Sequence, residues 1–182
     1  MNELQQKIKD KIVKLTEMGM TDKADYHSYE EIYPILLEKF LGKSHNMLEI
    51  GIGGGGGGLK MLCDIFPESN IYGIDNQVSR CQLNFKDYEN LKVFQFDQCD
   101  STMLERLPML DFVTEDASHI FELSIRTFEM LESKLNTGAV YVIEDVYPQY
   151  YDLYLKDGRF EMHDLRNLKD RGDNIMAVYH KK

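Results

Sequence analysis

Three cysteines (Cys63, Cys81 and Cys99) are all that the chain has. The number is odd and no two form a C-x-x-C pair, so neither a zinc site nor a disulfide framework is expected. No run approaches the ~18 apolar residues of a membrane span, and the N-terminus has no signal-peptide core. A membrane is therefore not an expected partner, and the expected compartment is the cytoplasm. Basic residues are in deficit: 21 Lys and Arg face 31 Asp and Glu, for a net charge of -10. Phosphate backbones call for clustered Lys and Arg, so nucleic acid is not an expected partner either. The same acidity suits a divalent cation and a neutral or cationic substrate. Tryptophan is absent, which excludes nothing. The 182 residues show no internal repeat and no linker, and suit a single domain with a sizeable core.

Glycine, by contrast, is concentrated in one place. Asn46-Met47-Leu48-Glu49-Ile50 runs into Gly51-Ile52-Gly53 and on to Gly58. Met47 to Ile50 reads as a buried strand, and Leu59, Leu62 and Phe66 share one side of the helix that follows. Strand, glycine turn and helix form the cofactor cradle of doubly wound α/β folds. Glycine permits unusual φ/ψ there and lets a ligand touch backbone, while helix amides face that ligand. Gly51-x-Gly53-x-x-Gly56 fits the dinucleotide fingerprint, but six glycines in a row fit almost any glycine pattern. Gly58 is followed by Leu59-Lys60 and not by Lys-Ser/Thr, so the tract is no P-loop. Glu49, two residues ahead of Gly51, resembles the acidic position of motif I in class I S-adenosylmethionine (SAM) methyltransferases.

Around this centre the chain alternates strand and helix. Leu4, Ile8, Ile12 and Leu15 form an amphipathic stripe ending near Met18-Gly19. It is expected to pack on the domain, with a homo-oligomer contact as its other use. A polar stretch, Thr21 to Tyr29, leads to a second helix. Ser28 and Glu31 form a capping box there, and Gly42 ends the helix. Further strands are expected at Ile71–Asp75, Leu91–Asp97, Leu110–Glu115 and Ala139–Ile143, with Gly138 closing the loop before the last. Arg159–His163 and Asn174–Tyr179 read as an antiparallel hairpin. The expected fold is α/β: a doubly wound, Rossmann-like sheet, mostly parallel, with an antiparallel C-terminal hairpin.

In such sheets the ligand lies beyond the carboxyl ends of the strands. Five strands here end on acids: Glu49, Asp75, Asp97, Asp116 and Glu144-Asp145. Asp75, about 20 residues past the glycines, stands where a ribose diol is held, or else caps a helix from Gln77 onward. Asp97 and Gln98 would border an adenine. Asp116, Glu144 and Asp145 come from neighbouring strands, and carboxylates brought together repel unless a cation joins them. Hard oxygen ligands suit Mg²⁺, with Mn²⁺ as a substitute. His119 follows Asp116 by three residues. A histidine can take a proton at neutral pH, and a divalent ion lowers the proton affinity of a bound hydroxyl.

These residues carry a family resemblance. Thr21-Asp22-Lys23, His27-x-Tyr29 and Tyr33 are joined by Leu48-Glu49-Ile50-Gly51 and Ile71-Tyr72-Gly73-Ile74-Asp75. Asp97-Gln98, Asp116-x-Ser118-His119 and Val142-Ile143-Glu144-Asp145 complete the set. Together they resemble the metal-dependent sugar O-methyltransferases of macrolide biosynthesis, the mycinamicin VI 2''-O-methyltransferase group, over roughly Gly19 to Pro148. The resemblance implies SAM as cofactor and Mg²⁺ on Asp116, Glu144 and Asp145. It implies His119 as general base and a small-molecule or glycan hydroxyl as acceptor. Thr21, Asp22 and Lys23 would belong to a lid over the cofactor, within an N-terminal region of residues 1–45 on a Rossmann-like core of residues 46–182. Cofactor contacts would come from Thr21, Lys23, Glu49, Gly51, Gly53, Asp75, Asp97 and Gln98. The chain departs from the family at Glu115-Asp116-Ala117, where the family has Asp-Asp before Gly-Ser-His, and it has no counterpart of the family's large N-terminal domain. Two rival readings remain: a small nicotinamide-dependent oxidoreductase, and a nucleotide-binding protein without catalysis.

Overall fold

The structure, a computed structural model, describes all 182 residues. Seven strands form one sheet: β1 (Asn46–Ile50), β2 (Asn70–Asp75), β3 (Leu91–Gln95), β4 (Leu110–Glu115), β5 (Leu135–Ile143), β6 (Glu161–Asp164) and β7 (Ile175–His180), in the order β3-β2-β1-β4-β5-β7-β6. β1 to β5 are parallel, and β7 is antiparallel to both β5 and β6. The expected C-terminal hairpin thus closes one edge. Strand order reverses between β1 and β4, which makes that pair the topological switch point.

Both faces are covered, because alternate residues of a strand point to opposite sides. Met47, Ile71, Phe112 and Val142 pack against α1 (Glu3–Glu17), α2 (Tyr33–Leu37) and α3 (Gly57–Ile65). Leu48, Ile74, Val113 and Tyr141 pack against α4 (Phe121–Leu131) and α5 (Tyr151–Asp157). α1 begins on a reciprocal cap: Gln5 N donates to Asn2 Oδ1 at 2.9 Å and Asn2 N donates to Gln5 Oε1 at 3.1 Å. Its Ile8, Ile12 and Leu15 are buried in the core of its own chain, and Leu4 at the same stripe's end is exposed. No helix is long and apolar enough to cross a membrane.

The elements depart from expectation at four places. Ser28 makes no capping box; Ser28 N donates to Asn174 Oδ1 at 3.0 Å, and Asn174 Nδ2 donates to Ser28 Oγ at 3.2 Å. The buried Asn174 amide needs partners, and that need outweighs a helix cap. Pro34 then sits in the first turn of α2, which is short and flanked by 3₁₀ turns at Tyr29–Glu31 and Glu38–Phe40. β3 ends at Gln95, so Asp97 lies in the following turn. β5 starts four residues early and runs through Gly138 (φ +82°), where the pairing jumps from Leu110 with Leu135 to Phe112 with Val140. The β2–β3 and β3–β4 connections hold only 3₁₀ turns. In the first of these, Cys81 and Leu83 cover Gly56, and Gln82 N donates to Gly54 O at 2.8 Å.

The glycine tract serves the protein's own packing more than expected. Gly51 (φ +86°) lacks a Cβ where the Asp116 carbonyl lies, and Gly57 lacks one where the Met20 carbonyl lies. Only Gly53 and Gly54 in the tract face open space. Gly57→Ala should therefore overpack a backbone contact and lower stability by about 1–3 kcal/mol or more. Gly54→Ala should stay within about 0.5 kcal/mol of the native protein. Urea unfolding midpoints distinguish the two.

Candidate cofactor and metal site

Two cavities meet at the carboxyl ends of β1 and β4. One, of about 210 Å³, is walled by Gly51, Asp75, Asp97 and Gln98; the other, of about 430 Å³, lies between Gly19–Lys23 and the glycine tract, with Glu49 at its base. Gly53 and Asp116 belong to both. The structure thus brings Thr21, Lys23, Glu49, Gly51, Gly53, Asp75, Asp97 and Gln98 onto the walls of two adjoining cavities.

Their side chains are not equally free. Asp75 accepts from Ile52 N at 2.9 Å through Oδ2 and from Gln77 N at 2.6 Å through Oδ1. It is both a turn cap and a cavity wall, and an ionised carboxylate has about four lone-pair sites, so a diol can still be accommodated. Asp97 Oδ1 accepts from Cys99 N at 2.9 Å. Gln98 lines the cavity, but its amide Nε2 donates to Glu115 Oε1 (3.1 Å) and Thr127 Oγ1 (3.2 Å). Glu115, which also accepts from Tyr141 OH at 2.9 Å, has its pKa raised by burial. Glu49 is 2% exposed and its Oε2 has no partner. Burial pushes its pKa well up. A cationic or N–H group entering the larger cavity would satisfy that oxygen.

The acids of β4 and β5 divide into two layers. Asp116, His119 and Asp145 bring ligand atoms within 4.8 Å of one another, with His119 Nε2 at 3.8 Å from Asp116 Oδ1. Glu144 stands outside this cluster. Successive residues at a strand end face opposite ways, so Asp145 reaches the rim while Glu144 points inward to the Lys23 ammonium, the Tyr33 hydroxyl and Thr114 Oγ1. Lys23 is itself buried, and its Nζ lies 3.5 Å from Asp116 Oδ2. Burial alone would pull its pKa down, but Glu144 and Asp116 together outweigh burial and hold the ammonium charged.

Asp145 is held from the N-terminal arm. Tyr29 OH donates to Asp145 Oδ1 at 2.6 Å, and His27 Nε2 lies 3.5 Å from the same oxygen. Two non-glycine residues, His119 (φ +56°) and Asp145 (φ +53°), adopt left-handed backbone, and both belong to the cluster. Such strain costs on the order of 1–3 kcal/mol per residue and persists where the surroundings impose it, often at functional sites. The sequence marked His27 and Tyr29 only as parts of a resemblance, and Tyr33 as part of the second helix's apolar face, and gave none of them a role in the site. The signal available was a polar loop rich in hydrogen-bonding side chains.

Four carboxylates, Glu49, Asp116, Glu144 and Asp145, lie buried or half-buried here, and the Lys23 ammonium pairs with two of them, Asp116 and Glu144. Burial raises the pKa of each, and for Asp145 the neighbouring Glu144 adds to it. Hard oxygens with unbalanced negative charge and an adjacent imidazole fit a divalent cation such as Mg²⁺ or Mn²⁺.

No protein-family model matches the chain. It is 34% identical over 115 residues to mycinamicin VI 2''-O-methyltransferase of Micromonospora griseorubida, covering 58% of this chain and 28% of that protein. It is 30% identical over 165 residues to 8-demethyl-8-alpha-L-rhamnosyl tetracenomycin-C 2'-O-methyltransferase of Streptomyces olivaceus, covering 82% of this chain and 42% of that one. The chain thus spans less than half the length of these two relatives. Among solved structures, the MycE methyltransferase of mycinamycin biosynthesis in complex with Mg and SAH superposes with a TM-score of 0.73 at 23% identity, over 94% of this chain and 55% of that one. The fold is that of the class I methyltransferases, and in sequence the chain is similar to sugar O-methyltransferases.

Two outcomes follow from the charge arrangement. A carboxyl group whose folded pKa lies above its unfolded value favours folding below the unfolded pKa, and that contribution is lost as pH rises through the folded value. In the metal-free protein the contribution of these four carboxyl groups to thermal stability should therefore fall from about pH 4 upward. Stabilisation by Mn²⁺ or Mg²⁺ should be small at pH 5 and grow toward pH 8, as read by differential scanning fluorimetry. Lys23→Met leaves Glu144 buried without a cation and should cost about 3–5 kcal/mol. Adding Glu144→Gln should recover part of that loss in chemical unfolding.

Proposed function

We propose that this chain is a SAM-dependent, divalent-metal-assisted O-methyltransferase acting on a hydroxyl of a sugar, glycoside or related small molecule. One observation carries the reading: the two adjoining cavities meet at Asp116, and Asp116 also belongs to the cluster with His119 and Asp145. The names of the relatives support the same reading, as does the presence of Mg and SAH in the MycE complex. They support neither a nicotinamide oxidoreductase nor a non-catalytic nucleotide binder.

The smaller cavity would take the nucleoside half of SAM, with the Asp75 carboxylate accepting from the ribose hydroxyls and Asp97 bordering the base. The larger cavity would take the amino-acid half, whose ammonium meets the unpartnered oxygen of Glu49. Thr21 and its neighbours close that cavity from above. Asp116 and Asp145 would hold the metal ion, with Glu144 behind them keeping Lys23 in place. When bound, the ion makes an acceptor hydroxyl easier to deprotonate and the sulfonium of SAM supplies the methyl group.

The chain's own residues do the rest. His119 Nε2 takes the hydroxyl proton, and Asp116 Oδ1, 3.8 Å away, stabilises the imidazolium that results. Holding both reactants at one site would supply a large share of the rate enhancement. Asp145→Asn and His119→Ala should each lower turnover at least about a hundredfold while SAH affinity stays as in the native protein. The assay is SAM consumption against a panel of glycosides and phenols, with and without EDTA, paired with calorimetric SAH titration. Retained turnover in both variants, or thermal stabilisation by NAD and not by SAM, would overturn the reading.

A further inference from the structure

We propose that Tyr29, braced by His27, is a positioning residue for Asp145 and decides which of its carboxylate oxygens faces the metal ion. This rests on the reading of Asp116 and Asp145 as ion ligands. Tyr29 is fully buried, yet its hydroxyl contacts Asp145 twice: it donates to Oδ1 at 2.6 Å and accepts from Asp145 N at 3.0 Å. A phenol has one proton to give. The Asp173 carbonyl, 3.3 Å away, is the weaker competitor, because a carboxylate forms the shorter and stronger bond. The single hydroxyl therefore bridges the side chain and main chain of one residue. That bridge fixes the Asp145 side chain and helps to hold its backbone at φ +53°, a conformation uncommon outside glycine.

His27 restrains the phenol from the other side. Its ring stacks on Tyr29 with centroids 4.7 Å apart and planes 15° from parallel. Its Nε2 lies 3.5 Å from the same Asp145 Oδ1. With Tyr29 and His27 both on Oδ1, Oδ2 is the oxygen left for an ion, so Asp145 becomes a one-oxygen ligand of fixed direction. Groups that orient metal ligands in this way set affinity: removing one typically weakens metal binding about 10–100-fold. The donor lies 116 residues from its acceptor, on the same arm that walls the larger cavity through Thr21 and Lys23.

Tyr29→Phe keeps the ring, the stacking and the burial and removes only the hydroxyl. Mn²⁺ is titrated into the full chain, free of SAM and acceptor, and free Mn²⁺ is read by electron paramagnetic resonance. The expected result is an affinity for Mn²⁺ lowered about 10-fold or more with SAH affinity unchanged. In turnover assays the Mn²⁺ concentration needed for half-maximal rate should rise by the same factor, and kcat should return toward the native value at saturating Mn²⁺. A merely structural role would instead lower SAH affinity and kcat together and would not be rescued by metal. His27→Phe, which preserves stacking and removes the nitrogen, should weaken Mn²⁺ in the same direction by less, and it carries the test alone should Tyr29→Phe fail to fold. Asp116→Asn is the control. If it weakens Mn²⁺ binding while Tyr29→Phe and His27→Phe do not, the positioning role is wrong and the ion site stands. If native protein binds no Mn²⁺, or Asp116→Asn leaves binding unaltered, the ion site falls and the positioning role with it.

Discussion

A single ammonium among buried carboxylates sets the terms for this fold. Parallel strands end on one edge, and the sequence places Glu49, Asp116, Glu144 and Asp145 at the ends of three neighbouring strands. In a low-dielectric setting such a group cannot stay ionised without positive charge close by. Lys23 supplies it, from a segment that belongs to no strand or helix. The N-terminal arm is therefore part of the electrostatics of the sheet edge and not a cover laid over a finished site. Its own anchoring bears this out. Met20 O packs against Gly55 and Gly57, which have no Cβ to obstruct it. Lys169 Nζ donates to Ala24 O at 2.7 Å and also to His27 O. Asn174 binds Ser28 through both its amide atoms. The connection between β6 and β7 thus anchors the arm that carries the cation required at the centre of the sheet.

Much of this was legible in the sequence, for reasons that differ from element to element. Hydrophobic runs ending on acids located the parallel strands, because a strand buried on both faces must be apolar until it emerges. The approach of Asp116 and Asp145 followed from adjacency of β4 and β5. The inward turn of Glu144 did not, since pleat parity at a strand end depends on where the strand stops, and that boundary is hard to read to the residue. The glycine tract reads in sequence as a bend made for a cofactor, but most of its missing Cβ atoms accommodate Met20, Asp116 and Glu49. Glycine reports that something comes close without saying whether it is ligand or protein. The Ser28–Glu31 pattern misled because a side chain 146 residues away in sequence competes for the same serine. The roles of His27, Tyr29 and Tyr33 were hidden for the same reason: their partners lie across the chain, where spacing carries no information.

The two layers of acids behave differently, and the difference explains how the site can stay open. The inner layer is satisfied within the protein. Glu144 has Lys23, Tyr33 and Thr114, and Glu115 has Gln98 and Tyr141. These groups have no need of a ligand, and removing one of them leaves a buried polar group without a partner. The outer layer is not satisfied. Asp116, His119 and Asp145 stand within reach of one another with 3.8 Å between the nearest imidazole and carboxylate atoms, too far for a direct hydrogen bond. Left to themselves, a histidine and two aspartates would relax toward such bonds. Here the backbone of His119 and of Asp145 is held in the left-handed region, and Tyr29 occupies the Asp145 oxygen that could otherwise turn inward. Left-handed backbone at two rim residues, with Tyr29 bonded to one of them, thus accompanies the separation of the outer groups. On the proposed reading, an incoming cation would meet ligand atoms already within 4.8 Å of one another, and little of its binding free energy would go to rearranging the protein.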